Sequence, residues 1–181
     1  MYENPVYGIK IDYPASWLKS EINRNDLVAV FVLSSEKKPL SERNVSEFIL
    51  ENLMIGIKTI ASSSLSSSST SVPKNVLLNK FVNEQISYYK QAFTDFHIIA
   101  SNTTGSIDNN PTYEVQYIHK NGRATFDTLQ IWTIKGNSIY TIRFNADPAD
   151  FPLYLPIIRK MTDSFVISKD NNNNQIKFKN V

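Results

Sequence analysis

The apolar positions of the chain follow two periods. Two-residue alternation opens it, with Val6, Ile9, Ile11 and Tyr13 ahead of Pro14. This predicts a strand that stops where proline removes a ladder donor. Trp17 follows on a short turn, YPASW, that directs it back into the core. Leu18–Arg24 alternates weakly, Asn25-Asp26 marks a turn, and Leu27–Ser34 (LVAVFVLS) is a nearly continuous β-branched run. Such a run predicts a central strand covered on both faces. Glu36–Arg43 is a polar loop. The period then lengthens: Val45, Phe48, Ile49, Leu53, Ile57 and Ile60 predict a first helix from Asn44, with Asn44 or Ser46 as its cap. The Ser-rich stretch through Lys74 lacks the apolar groups needed to pack and reads as a mobile loop over 62–74. Leu77, Leu78, Phe81, Val82, Ile86, Tyr89 and Phe93 predict a second helix over Val76–Phe93.

Alternation returns in the second half. Phe96–Thr103, Thr112–Lys120, Thr125–Ile134 and Ile139–Asn145 predict strands, the last three joined by turns at Asn121-Gly122 and Gly136-Asn137. Asp147-Pro148 opens a third helix carrying Phe151, Leu155, Ile158, Met161 and Phe165, with Pro156 expected to kink or split it. Residues 169–181 form a polar tail. Hairpins with short turns make the sheet antiparallel, and amphipathic helices must cover its faces. The predicted fold class is α+β, one domain over residues 1–168, with helices on both faces of an antiparallel sheet.

Composition narrows the function. The chain has 181 residues, 41% of them hydrophobic, and a formal net charge of +2. A balance so even argues against a dedicated nucleic-acid binder, which needs a concentrated basic face. With no cysteine, thiol catalysis, disulfides and Cys-based zinc sites are excluded. No apolar run approaches the roughly 20 residues of a membrane-spanning helix. Five glycines and no GxGxxG or P-loop run argue against a phosphate-binding loop.

The two histidines, His97 and His119, are the candidates for acid–base or metal chemistry. Imidazole plus carboxylate suits zinc or manganese, and the pairs on offer are His97 with Asp95, and His119 with Glu114 or Asp127 across the hairpin. Against this, His119 stands two residues before a turn, a place expected to be solvent-accessible and poorly enclosed, and His97 begins a strand. Both are expected to be ordinary strand residues. Asp147 and Asp150 are read as capping and first-turn residues rather than calcium ligands. Tyr113, Tyr117, Phe126 and Trp132 are spaced for cross-strand packing. Tyr88, Tyr89 and Tyr154 fall on helices, where an aromatic patch could meet a protein partner. Two glycosylation sequons, at Asn44 and Asn102, fit an exported protein.

The YPASW turn, the strand NSIYTIRF at the end of a three-stranded meander, and the closing MTDSFVI together resemble the PsbP-like family over residues 6 to 168. That family shares its α/β/α sandwich with the Ran-binding Mog1 proteins. The resemblance implies an extracytoplasmic or secreted protein, with lipid anchoring through a segment preceding Met1 as one form of it. It implies a monomeric, non-catalytic binding or assembly module whose partner is another protein. No cofactor is expected; calcium, zinc or manganese is the alternative. Two rival readings remain: a metal-dependent enzyme using His97 or His119, and a cytoplasmic Mog1-like adaptor.

Overall fold

The structure is a computed structural model that describes residues 1–24, 26–33, 51–60 and 72–168. The predicted polar loop, the first half of the predicted first helix, residues 61–71 of the Ser-rich stretch and the polar tail lie outside the described residues. Strands β1 (Tyr2–Asn4) and β2 (Ile9–Ile11) lead to β3 (Trp17–Arg24), β4 (Leu27–Leu33) and β5 (Asn52–Thr59). Helix α1 (Lys74–Ala92) is followed by β6 (Thr94–Asn102), β7 (Ser106–Ile107), β8 (Asn110–Asn121), β9 (Ala124–Lys135) and β10 (Ser138–Ala146). Helix α2 (Phe151–Asp163) and β11 (Val166–Ile167) close the fold.

The main sheet is antiparallel, in the order β3-β4-β5-β10-β9-β8-β6, with β7 paired to the start of β8. A small sheet, β1-β2-β11, ties the two ends of the domain together, and the Ser168 N–H donates to the Gly8 carbonyl. Both predicted meander hairpins form, the first with its turn one residue later than the predicted Asn121-Gly122. Their two-residue loops are Gly122-Arg123 and Gly136-Asn137, and only the glycine of each has positive φ, 64° and 56°. That is the pattern of a type II′ turn, in which the first central position demands glycine.

Each face of the sheet carries a helix, as the sequence predicts. Against one face α2 sets Phe151, Ile158 and Met161 on Phe31, Leu53, Ile55, Leu129, Ile131, Ile142 and Phe144, joined by Trp17 at 3% exposure. On the other, α1 sets Leu78, Val82 and Tyr89 on Val115, Tyr117, Trp132, Ile134 and Ile139. The apolar stripe expected on α1 is the one that packs.

Three expectations are corrected. Asn52–Thr59, placed in a first helix, is a strand between β4 and β10. Leu53, Ile55 and Ile57 fit a two-residue period as well as Leu53, Ile57 and Ile60 fit a helical one, and sheet neighbours on both sides decide between them. Among the described residues there are therefore two helices. Lys74, assigned to the Ser-rich loop, already begins α1. Of the kink or split expected at Pro156, the split does not occur: α2 runs unbroken for 13 residues. Pro152 and Pro156 are both exposed, so the ring and the carbonyl it leaves without a helix donor fall on the solvent side of the helix.

Candidate functional site

Successive residues of a strand point to opposite faces, and registry decides which side chains meet. On β8 the pairing is His119 with Phe126, Ile118 with Asp127 and Glu114 with Ile131. His119 therefore points to the α1 face, whereas Glu114 and Asp127 point to the α2 face. The sheet separates the ligands of the proposed His119 pairs. Glu114 instead takes Arg159 of α2 in a two-pronged ion pair, one arm at 2.7 Å, and that bond holds the guanidinium pKa up. Asp127 accepts from Gln116 Nε2 at 3.0 Å through each of its two carboxylate oxygens, and burial raises its pKa. Asp95 is engaged by Lys120 at 2.6 Å, which lowers its pKa. His97 Nδ1 lies 3.1 Å from the Asp95 backbone carbonyl rather than its carboxylate. Among the described residues no three His, Asp or Glu side chains converge as a metal set.

His119 itself is not the exposed hairpin-end residue that its sequence position suggests. It is 6% exposed. Phe93, at the end of α1, stacks on it with ring centroids 4.1 Å apart, and Tyr117 and Phe126 flank it at 5.4 Å. Its Nδ1 is buried without a hydrogen-bond partner among the described residues. Burial, aided by the nearby Arg143 charge and opposed by the Lys120 backbone, lowers its pKa to about 4. The clue in the sequence is that Phe93 ends the apolar stripe of α1, while Tyr117, His119 and Phe126 share one sheet face.

The residues that sequence reasoning missed lie on that same face. Helix α1 packs on β8 and β9, leaving β4, β5 and part of β10 with no described element above them. There the strands turn polar. On β9, Trp132 and Ile134 give way to Thr128 and Gln130; on β10, Ile139 gives way to Thr141, Arg143 and Asn145. These groups form a hydrogen-bonded floor. The Tyr117 hydroxyl donates to Gln130 Oε1 at 2.8 Å, and Gln130 Nε2 donates to the Tyr89 hydroxyl at 3.2 Å. Arg143 Nε donates to Gln130 Oε1 at 3.2 Å, and Arg143 Nη2 donates to the Tyr89 hydroxyl. Beside them Thr128 Oγ1 donates to Asn145 Oδ1 at 3.0 Å, and Asn145 Nδ2 to Asn52 Oδ1 at 2.9 Å. Burial raises the Tyr117 pKa, so it stays a neutral donor.

Two cavities of about 330 Å³ each open above this floor. One lies between α1 and β5, with Leu27, Met54, Ile57, Phe81 and Trp132 as apolar walls, Gln85 and Thr141 among its polar groups, and Lys58 and Asp26 also in its lining. The other lies over Val30, Phe93, Phe126 and His119. They meet at Met54 and Arg143, which line both. The arrangement suits holding a molecule: preformed concavity, apolar walls and a few fixed polar groups.

An antiparallel sheet with one helix on each face, sewn end to end by a small second sheet, and bearing a concave polar groove beside α1, defines the α/β/α sandwich class. The PsbP family model matches residues 1–167, and the chain belongs to the PsbP family. Two solved structures share the fold. Cyanobacterial PsbP (CyanoP) from Synechocystis sp. PCC 6803 is 16% identical with a TM-score of 0.60, over 92% of this chain and 90% of that one. LpqN of Mycobacterium tuberculosis, a protein involved in cell envelope biogenesis, is 7% identical with a TM-score of 0.60, over 88% and 83%. At these identities the likeness is one of fold. No curated protein matches the sequence.

Proposed function

We propose that this PsbP-family chain is a non-catalytic, extracytoplasmic binding module whose recognition surface is the groove beside α1 and whose partner is another protein. The observation that carries the reading is the groove's floor: a hydrogen-bonded set centred on Arg143, with two cavities of about 330 Å³ above it. Its side chains are amides, hydroxyls and one guanidinium, which hold a partner and do not turn it over. The one imidazole nearby is unprotonated at neutral pH and, with a pKa near 4, a weak base. The extracytoplasmic location follows the family resemblance and is in keeping with the envelope role of LpqN. No helix of the described residues is long and apolar enough to cross a membrane.

Two measurements test this. Protease added to intact cells should degrade the protein while a cytoplasmic marker survives; survival of both overturns the location. Calorimetric titration with zinc and manganese should give the same result for the wild type and for the double variant His97→Ala, His119→Ala. Micromolar binding that the double variant loses would replace the binding-module reading with the metal-dependent one.

A further inference from the structure

Arg143 has more hydrogen-bonding capacity than the fold uses. Its Nε is taken by Gln130 and its Nη2 by Tyr89, and the guanidinium also lies 5.3 Å from the centre of the Tyr89 ring. No carboxylate among the described residues forms an ion pair with it, and Nη1 has no described acceptor. A half-buried guanidinium held in a fixed direction by two neutral partners keeps its full charge and a free edge. Arg143 lines both cavities. Met54, its partner on β5, and Trp132 in the same lining are apolar, so a charge-assisted bond made there is strengthened.

We propose that the groove binds a carboxylate carried on an apolar body, with Arg143 pairing the carboxylate and Met54, Phe81 and Trp132 receiving the apolar part. A carboxylate fits better than a phosphate dianion for two reasons. Only one side of one guanidinium is on offer in the depth of the groove, and Asp26 shares the lining, where it repels a second negative charge. Lys58 is exposed and reaches over the Phe81 ring at 5.9 Å, so it draws anions in without fixing their orientation. The carboxylate can belong to a free small acid or to the C-terminus of a protein chain. This inference rests on the groove being the recognition surface; it can fail in a binding titration while the cellular location stands, and the reverse.

The test uses matched acids and amides on the purified chain, read by calorimetry and by NMR of the Trp132 indole, the Met54 methyl and the Arg143 Nε–H. The probes are 2-naphthoate against 2-naphthamide, and a tripeptide ending in Phe as the free acid against its C-terminal amide. At least one acid should bind ten-fold or more tighter than its amide and shift all three signals. The pair that does so identifies the source. Arg143→Gln should bring that acid down to the level of its amide, while Lys58→Gln should change binding less than three-fold. Equal affinity of acid and amide in both pairs overturns the proposal, as does an acid preference that survives Arg143→Gln. If Arg143→Gln does not fold, the wild-type Arg143 Nε–H decides: no shift on adding acid, or the same shift with amide, overturns it.

Discussion

His119 is held neutral by its surroundings, and that has a consequence for stability. In an unfolded chain it takes up a proton near pH 6.5; in the fold protonation waits until about pH 4. Between those values the unfolded chain holds more protons. The contribution is therefore complete above pH 6.5 and is lost as the pH falls through this window. The whole effect is at most about 3–4 kcal/mol, since one pKa unit corresponds to about 1.4 kcal/mol. Asp127 acts in the opposite sense: its raised pKa favours the fold at low pH, so a wild-type titration alone mixes the two. His119→Phe keeps the stack on Phe93 and Phe126 but has no proton to gain. Urea titrations at pH 7 and pH 4.5 should show the wild type losing about 1–3 kcal/mol more than the variant. Equal losses would mean that His119 is solvated in solution. Arg143 and Gln130 were legible in the sequence only as members of alternating strands. What marks them is a face that changes from apolar to polar partway along β9 and β10, a pattern that single-strand periodicity does not register.

At the scale of elements, the packing of α2 ranks two kinds of contact. Ile158 is fully buried between the helix and the sheet. Arg159, the next residue, pairs with Glu114 of β8, but the side chains are 43% and 23% exposed. Water screens such a pair, so its net worth is about 0.5–1 kcal/mol even with two-pronged geometry. Removing Ile158 leaves a cavity that the rigid sheet cannot close, at a cost of about 2–5 kcal/mol. Chemical denaturation of Ile158→Ala and Arg159→Ala should preserve that order, and a larger loss for Arg159→Ala would refute it. The apolar stripes of both helices were readable because each is long enough to repeat its period several times. The eight residues of β5 were not. Such a short apolar run fits both periods, and its identity as a strand depends on β4 and β10, which are distant in sequence.

At the scale of the whole molecule, sequence pattern predicts faces but not neighbours. The two meander hairpins were legible because their turns are local. The pairing of β5 with β10, and of β11 with β2, was not, because nothing local encodes which edges meet. That same topology predicts how stability is distributed. Strand β9 has a partner on each side, and nine consecutive residues, Phe126 to Ile134, are buried. Leu129 and Ile131 belong to the core under α2, while Trp132 and Ile134 belong to the core under α1. Opening β9 therefore dismantles both cores and amounts to global unfolding. Strand β6 is the opposite case. Among the described residues it pairs only with β8, its register shifts twice, and Ile98 and Ile99 are 41% and 49% exposed. Releasing it costs ladder bonds that water replaces and little apolar burial. Native-state hydrogen exchange should show β9 amides exchanging only through global unfolding, at a free energy of about 5–15 kcal/mol that falls with urea along the global slope. The β6 amides should exchange through local opening at a small fraction of that value, with almost no urea dependence. If β6 and β9 instead exchange with the same free energy and slope, the sheet opens as one unit, and the division into a doubly anchored centre and a loosely held edge is wrong.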